Sequence, residues 1–252
     1  MHLRAVVLLA KLRRINVKIN SISLRKILEF DSGIPEEKNK IVRIMLQQRL
    51  TSLRKKEKKS RGEKVGGGGD FYDDLIKSIK LFFLNERSIE ESLSIILNSR
   101  KSGKENYIPL MKNFLRWWEE KRRWRNPPFS FQNDNLHKSF SMDDKTIKIE
   151  DIIHFMSNYE GISTQDHVII YPYYYIKMPL SLRGARIGLW CLKEKFPEFS
   201  YDSFRILDIP RSRSFSLTDI ALTGNEAVEF RNALTEIQDI FDKKYEARIS
   251  KL

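Results

Sequence analysis

The sequence predicts an α+β protein whose N-terminal two-thirds is mostly helical and whose C-terminal part is a small α/β module. Apolar residues recur at helical spacing through most of the chain before residue 126. Two runs of β-branched and aromatic residues, His167–Met178 and Phe204–Ile209, then predict strands. A helical pattern over Ser181–Lys195 separates these runs, and a strand, a helix and a second strand in this order are typical of an α/β unit.

Residues 1–64 are predicted to form a basic helical domain. A short helix over Leu3–Leu12 and a turn or very short strand over Ile15–Asn20 precede a helix that Ser21 or Ser23 caps. Pro35 suits the first turn of a third helix, because the N–H group that proline lacks has no helical partner there. The inward face of the second helix is predicted to comprise Leu24, Ile27, Leu28 and Phe30.

The third helix has a charge polarity that agrees with the helix dipole. Glu36 and Glu37 lie in its first turn, and six cationic residues lie at its end. These six are predicted to contact phosphate: Arg54, Lys55, Lys56, Lys58, Lys59 and Arg61. An apolar stripe at helical spacing comprises Val42, Met45, Leu46, Leu50 and Leu53. We therefore expect the first two-thirds of this helix to pack and its last two turns to project as a charged end.

The excess of positive charge lies in the first quarter of the chain. Residues 1–65 contain 18 Lys and Arg against 6 Asp and Glu, whereas the whole chain of 252 residues contains 46 against 33. Charge concentrated at one end predicts a polyanionic partner, nucleic acid above all. The longest early apolar run, Ala5–Ala10, is too short for a signal peptide, and the single cysteine, Cys191, excludes an intramolecular disulfide. The sequence thus predicts an intracellular protein without a membrane partner.

Four consecutive glycines, Gly66–Gly69, predict a flexible linker over residues 65–70. The alternative is a phosphate-binding loop, but the Lys-Ser/Thr pair of a P-loop does not follow the glycines. Residues 71–126 are predicted to form a Trp-rich helical domain. Its helices are expected over Asp70–Leu84, after a capping box at Ser88–Glu91, and over Tyr107–Trp124.

Aromatic and cationic residues gather at the end of this helical domain. Trp117, Trp118 and Trp124 have two interpretations, ordinary packing in a core or stacking on bases. The nearby cations are predicted to contact phosphate: Arg122, Arg123 and Arg125.

Residues 127–142 are predicted as a linker, because a Pro-Pro pair ends the preceding helix and no periodic pattern follows. The α/β module over residues 143–252 is predicted to begin with a helix at Ile147–Tyr159. After the two strands and their connecting helix, a third strand is expected at Ser214–Leu217. A capping box at Thr223–Glu226 then begins a long final helix.

Two groups of residues in this module are candidate nucleic-acid contacts. Tyr171, Tyr173 and Tyr175 point to one face of their strand, where an open row of rings would stack on bases. The alternative is that helices cover this face. The second group supplies guanidinium donors for phosphate: Arg205, Arg211 and Arg213. The alternative for that group is an exposed basic turn without a ligand.

Three segments resemble known families. A helix, a turn, a helix and a longer basic helix over residues 3–60 resemble a helix-turn-helix DNA-binding domain. The segment Tyr107–Trp118 resembles the last helix of the core-binding domain of tyrosine recombinases, a domain that clamps DNA. The order of strand, helix and two strands, with Ile187-Gly188-Leu189-Trp190 in the helix, resembles the distal half of RecB-type nucleases of the PD-(D/E)xK superfamily.

The resemblance to these nucleases implies a site that the sequence matches only in part. In that superfamily a strand carries Asp and then Glu/Asp-x-Lys, which hold Mg²⁺ and activate water. The aligned tripeptide here is Tyr175-Ile176-Lys177, in which the lysine matches and the metal-binding acid does not. The resemblance therefore implies a degenerate, non-cleaving copy, with an active nuclease as the alternative.

No catalytic residue, metal ligand or cofactor is predicted. His2, His137, His154 and His167 are not spaced as metal ligands, and the chain has no Gly-x-Ser-x-Gly motif. The leading hypothesis is a non-enzymatic nucleic-acid-binding protein, with DNA favoured over RNA, that binds through its basic N-terminal region. The C-terminal module would then be a second contact or the docking surface for a protein partner. The alternatives are a structural subunit of a larger protein or ribonucleoprotein assembly and, third, the nuclease.

Overall fold

The computed structural model describes residues 17–65, 72–84, 88–98, 104–122, 129–132, 134, 136–157 and 167–250, and they form an α+β fold. Several predictions lie outside these residues: the helix Leu3–Leu12, the linker Gly66–Gly69, and the roles of Arg123, Trp124 and Arg125. Within the described ranges, every helix is too short or too polar to cross a lipid bilayer.

Seven α-helices lie in the described ranges: α1 (Leu24–Asp31), α2 (Pro35–Ser60), α3 (Asp73–Phe83), α4 (Ile89–Asn98), α5 (Tyr107–Arg116), α6 (Leu182–Lys195) and α7 (Glu226–Ile249). A π-helical segment of 5 residues, Trp117–Lys121, continues α5. Short 3₁₀ turns lie at Lys104–Asn106, Tyr201–Ser203 and Ile209–Arg211.

The strands of the same ranges form two sheets: β1 (Ser21–Ser23), β2 (Phe129–Gln132), β3 (Lys138–Met142), β4 (Lys145–Ile149), β5 (Ile153–Ser157), β6 (His167–Tyr173), β7 (Phe204–Asp208) and β8 (Arg213–Ser216). The three-stranded sheet has the order β1-β4-β3, with β1 parallel and β3 antiparallel to β4. The five-stranded sheet has the order β2-β5-β6-β7-β8, in which β6 and β7 are the parallel pair. Helix α6 makes the crossover that this parallel pair requires.

The five-stranded sheet lies at the centre of the molecule with apolar residues on both faces. In β6, Ile169 and Tyr171 belong to one hydrophobic cluster, and Val168 and Ile170 belong to another. Because successive side chains of a strand point to opposite faces, each cluster covers one side of the sheet. The strand predicted from the clearest apolar run is therefore the one that is buried on both sides.

The two clusters join segments that are distant in the sequence. The first cluster contains residues of α1, α2, α6 and α7 and of the three-stranded sheet. The second contains residues of α3, α4 and α5. Residues 17–53 thus share a core with the module predicted over residues 143–252, and the Trp-rich helices pack on the opposite face of the same sheet.

The predicted N-termini of α1, α2 and α4 agree with the structure. The Ser23 hydroxyl accepts a hydrogen bond from the Lys26 amide at 3.4 Å and caps α1, and Pro35 occupies the first turn of α2. Ser88 and Glu91 form the predicted capping box, with amide-to-side-chain distances of 2.7 and 3.2 Å in the two directions. These bonds satisfy N–H groups that the first helical turn leaves unpaired.

Two predictions for the middle of the chain are wrong. The segment up to Ser141, predicted as a loop, contains β2 and β3, and the helix predicted over Ile147–Tyr159 is replaced by β4 and β5. The isoleucines of the latter segment fit helical spacing when they are read as one run. A turn at Asp151, whose φ is +66°, divides them into two strands. That backbone conformation is uncommon for a residue other than glycine, and the apolar pattern gives no sign of it.

The side chain of Arg25 lies where three parts of the chain meet. It is 8% exposed, and its Nη1 is 3.2 Å from Asp151 Oδ2 in the β4–β5 turn. Its Nε is 3.9 Å from Oε1 of Glu29, which is 1% exposed. Its guanidinium lies over the Tyr72 ring at 5.0 Å, and Tyr72 stacks on Tyr174 with ring centroids 4.4 Å apart. One side chain of α1 thus contacts both the helical middle of the chain and its C-terminal module.

Replacement of Arg25 by Met is expected to lower the free energy of unfolding by about 3 kcal/mol. Glu29 and Asp151 would lose a counter-charge in a largely buried site, where an uncompensated charge is costly. Urea denaturation measures the change. The matched control is Arg231→Met on α7, a side chain that is 55% exposed, and we expect it to stay within about 0.5 kcal/mol of the parent protein. Equal effects of the two substitutions would contradict this role of Arg25.

Candidate nucleic-acid interface

Helix α2 places the predicted phosphate contacts at the surface. Its 26 residues span about 39 Å at the usual rise of an α-helix. Its apolar stripe packs into the first core as predicted: Val42, Met45, Leu46 and Leu50 are buried and Leu53 is half-buried. Within α2, which is described throughout, no residue beyond Leu53 belongs to that core, so the last two turns project from the protein.

We call six residues the basic end of α2: Arg54, Lys55, Lys56, Lys58, Lys59 and Arg61. All are exposed except Lys55, which is half-buried. Two of them face acidic neighbours, since Arg61 Nη2 is 2.9 Å from Glu57 Oε1 and Lys58 Nζ is 4.0 Å from Glu63 Oε2. In the described part of the chain, Arg54, Lys56 and Lys59 form no ion pair.

The position of these cations suits them to bind a polyanion. Cations at the C-terminal end of a helix offset the negative end of its dipole, and they therefore stabilise turns that have no core to pack on. An exposed ion pair contributes little, so Arg61 and Lys58 can exchange their carboxylate neighbours for phosphate at low cost. The basic end thus combines exposed positive charge with a rigid helical support.

The loop after β6 docks on the first turn of α2. The Tyr175 hydroxyl donates a hydrogen bond to the Glu37 carboxylate, and Lys177 Nζ is 3.6 Å from Glu37 Oε1. The hydrogen bond from Tyr175 is the main cause that lowers the pKa of Glu37; burial acts in the opposite direction, and the charges of Lys177 and Lys40 lower the pKa further. Lys177 is the lysine that matches the nuclease tripeptide, and the carboxylate beside it comes from α2.

The prediction of an open tyrosine face is wrong for two of its three residues. Tyr171 and Tyr173 are 2% and 0% exposed, in the first core with side chains of α1 and α6. Burial raises the pKa of both hydroxyl groups, and the Tyr173 hydroxyl donates to the Met178 carbonyl at 3.1 Å. A ring inside the core is not accessible to a base, so the alternative of a face covered by helices is the correct one. Tyr175 lies beyond the end of β6, where it is half-buried against α2.

Arg211 binds this protein's own loop. Its Nη1 donates to the carbonyls of Tyr175 and Met178 at 2.7 and 3.0 Å, and its Nη2 donates to the Ile176 carbonyl. Its Nη1 is also 3.3 Å from Asp208 Oδ1, on a side chain that is fully buried. Burial raises the pKa of Asp208, and the positive charge of Arg211 acts in the opposite direction. These contacts make Arg211 a structural residue, in place of the phosphate contact predicted for it.

The other two arginines of that group differ in how accessible their side chains are to a ligand. Arg205 donates to two backbone carbonyls of its own turn at 2.6 and 2.9 Å. Arg213 donates to the Leu180 carbonyl at 3.0 Å, and its guanidinium lies over the Phe215 ring at 4.4 Å. Its side chain is 50% exposed, so Arg213 is more accessible to a ligand than Arg211, whose side chain is 29% exposed.

Trp117 and Trp118 pack in the second core. Trp117 is 1% exposed. Trp118 lies against Phe83 and Phe155, with ring centroids 4.5 and 4.6 Å away. The Arg122 guanidinium lies over the Trp118 ring at 4.0 Å, which is a cation–π contact. Ordinary packing is thus the correct interpretation of these two rings, and Arg122 is half-buried on top of one of them.

The sequence spacing did not reveal a pair of histidines. His154 Nε2 is 3.0 Å from His167 Nδ1, and His154 Nδ1 is 2.6 Å from Asp134 Oδ2. Antiparallel pairing of β5 and β6 brings the two rings together, and the helix predicted for the β5 segment concealed that pairing. Within the described ranges, no three His, Cys, Asp or Glu side chains are grouped as metal ligands.

From β6 onwards, the C-terminal module has the order of elements that the sequence predicts. Strand β6, helix α6 and strands β7 and β8 follow one another as expected, and Trp190 packs against the first core. The helix-turn-helix resemblance includes a first helix that lies outside the described residues, and its second helix, α1, is buried between α2, α6 and α7. No protein-family model, curated protein or solved structure matches the chain.

Replacement of Arg211 by Ala is expected to lower the free energy of unfolding by about 2 kcal/mol at neutral pH, because three carbonyls and a buried carboxylate lose their donor. Since protonation removes the charge of Asp208, the deficit should shrink as the pH falls. Chemical denaturation at two pH values measures both effects. Arg213→Ala is the control, with an expected loss of about 1 kcal/mol or less.

Proposed function

We propose that this chain is a non-enzymatic nucleic-acid-binding protein that uses the basic end of α2 as its main contact. The observation that carries the proposal is the projection of that end beyond the core, with Arg54, Lys56 and Lys59 outside any ion pair of the described chain. Phosphate contacts from such cations release condensed counterions, which is the main source of affinity in non-specific binding.

The C-terminal module has a smaller part in this proposal than its sequence predicts. Tyr171 and Tyr173 are buried, and Arg211 is bound to its own loop, so none of these residues is assigned to the ligand. Of the three arginines predicted to contact phosphate in this module, Arg213 on β8 is the exposed one, and it is retained as a candidate contact. A helix end that presents cations without a matched set of base-reading side chains favours contact with the backbone of the ligand.

The proposal predicts a steep salt dependence that depends on α2. Replacing Arg54, Lys56 and Lys59 together by Gln should weaken binding to duplex DNA at low salt. The slope of log affinity against log salt should decrease in magnitude by about 2–3, because each phosphate contact contributes about 0.9. Fluorescence anisotropy titrations at several salt concentrations measure the slope. A parallel titration with duplex RNA tests the preference for DNA.

The control variant removes the same charge from another surface. Lys193, Lys243 and Arg248 are exposed on α6 and α7, and their joint replacement by Gln leaves the basic end of α2 intact. We expect a slope close to that of the parent protein. The proposal fails if the two triple variants lower the slope equally, or if the parent protein does not bind at low salt.

A second candidate function, a subunit of a larger assembly, is favoured by three exposed aliphatic residues on neighbouring segments, which we call the apolar patch. Ile34, Ile176 and Leu182 are 50%, 45% and 64% exposed. Their segments lie side by side, since the Ser181 amide donates to the Ser32 hydroxyl at 3.0 Å and Tyr175 bonds Glu37 at the start of α2. Exposed aliphatic side chains that lie together are typical of a protein-binding surface.

This candidate predicts weak self-association of the isolated protein through the patch. Sedimentation velocity at rising protein concentration should show a reversible increase in mean mass, which Leu182→Glu removes. Tyr201→Glu is the control, because Tyr201 is 55% exposed and lies beyond the opposite end of α6. A monomer at every concentration would argue against the patch as a binding surface.

A further inference from the structure

A cleft of about 330 Å³ lies between β1, α1 and α2. Residues 19–23 all line it, and successive side chains of a strand point to opposite faces. The cleft therefore follows the edge of β1, and within the described ranges that strand pairs only with β4 on its other side. Met45, Arg49 and Ser52 line it from α2, and Phe241 lines it from α7.

The charges around the cleft select an anion. Arg25, Lys26 and Arg49 line it, and its lining contains no Asp or Glu. Lys26 Nζ is 2.5 Å from Glu29 Oε2, and Arg25 pairs with Asp151, so both of these cations have partners in the protein. Arg49 has no ion pair in the described chain, and its Nε is buried without a hydrogen-bond partner. The Arg49 guanidinium is half-buried, and its Nε–H group lacks a hydrogen-bond acceptor. An anion in the cleft would supply one.

The remaining lining residues suit a phosphate that is attached to a larger group. The hydroxyls of Ser21 and Ser52 and the amide of Gln48 are donors that phosphate oxygens accept from. Ile22 and Met45 supply apolar surface. A volume of about 330 Å³ lies at the small end of the range for ligand pockets, which fits one nucleotide unit.

The cleft is continuous with the basic end of α2. Ser52, Lys56 and Lys59 follow Arg49 at i+3, i+7 and i+10, so the four residues lie on one side of the helix. Lys56 and Lys59 are exposed. The row covers about 15 Å along the helix axis, a distance over which a nucleic-acid strand presents several phosphates. A strand that follows this row towards the core ends at Arg49.

We propose that the cleft binds the terminal phosphate monoester of a nucleic-acid strand, with Arg49 as its main ligand. The inference rests on the proposed function, since the strand reaches the cleft along the basic end of α2. A phosphate monoester carries more negative charge than a phosphodiester, and guanidinium binds it through paired, charge-assisted hydrogen bonds. The protein would therefore distinguish phosphorylated from unphosphorylated strand ends.

The test compares strands that differ only at one end. Short single-stranded oligonucleotides of one sequence carry a 5′-phosphate, a 3′-phosphate or neither, and fluorescence anisotropy gives their affinities for the full chain. We expect one of the phosphorylated strands to bind at least about tenfold more tightly than the unphosphorylated strand. Adenosine monophosphate carries the same phosphate monoester without an attached strand, and it should bind more weakly than the preferred phosphorylated strand.

Two variants in the cleft test whether it is the site of the preference for the phosphorylated strand. Arg49→Gln should abolish the preference for the phosphorylated strand, and Ser21→Asp, which adds a carboxylate at an exposed position on the cleft, should do the same by repulsion. Arg248→Gln on α7 removes one exposed charge elsewhere and should keep the preference. Thermal unfolding of each variant shows whether it is folded. If Arg49→Gln does not fold, Ser21→Asp still tests the cleft.

The outcomes separate this inference from the proposed function. Equal affinity for all three strands, with a steep salt dependence, overturns the cleft as an end-binding site and leaves the function of α2 intact. A preference that survives in both cleft variants also overturns it, because the phosphate is then bound elsewhere. If adenosine monophosphate binds as tightly as the phosphorylated strand, the inference that the ligand is a strand end is wrong. The absence of binding to any strand contradicts the proposed function and this inference together.

Discussion

Strand β6 carries apolar side chains on both faces, and this requires that helices cover the five-stranded sheet on each side. Ile169 and Tyr171 face the cluster that contains α1, α2, α6 and α7, whereas Val168 and Ile170 face α3, α4 and α5. Burying that surface supplies the main driving force for bringing distant segments together. The position of α2, and with it the candidate interface, follows from this constraint, since the apolar stripe of α2 is part of the same core.

Buried polar contacts then specify how the layers meet. Arg25 joins Asp151 to α1 and lies over Tyr72, so a single guanidinium fixes the helical middle and the β4–β5 turn against each other. Arg211 does the same for the loop after β6, which in turn bonds the first turn of α2 through Tyr175. The sequence predicts that Arg211 contacts phosphate, and it assigns no role to Arg25. Inside the fold, the two guanidinium groups bind carbonyl and carboxylate oxygens of the chain itself, because a buried donor needs a hydrogen-bond acceptor close to it.

Local sequence patterns correctly predicted the features that depend only on neighbouring residues. The capping residues Ser23 and Ser88, the proline at the start of α2 and the apolar stripe from Val42 to Leu53 all depend on neighbours within a few residues, and each agrees with the structure. The strands between Phe129 and Ser157 were missed, because β2 pairs with β5 and β1 pairs with β4 across long intervals of sequence. Short edge strands with serine at alternate positions have no local signal strong enough to separate them from a loop.

For the candidate interface, the sequence by itself determined the location of the charge: the cations of the basic end lie beyond the last residue of an apolar stripe, and helical periodicity is enough to place them outside the core. Only the tertiary structure decided which other polar residues are available. Tyr171 and Tyr173 are covered because α1 and α6 pack on their face of the sheet, and Arg49 lines a cleft because β1, more than twenty residues earlier, lies beside α2. Accessibility is a property of packing between distant segments, and the residue types alone do not encode it.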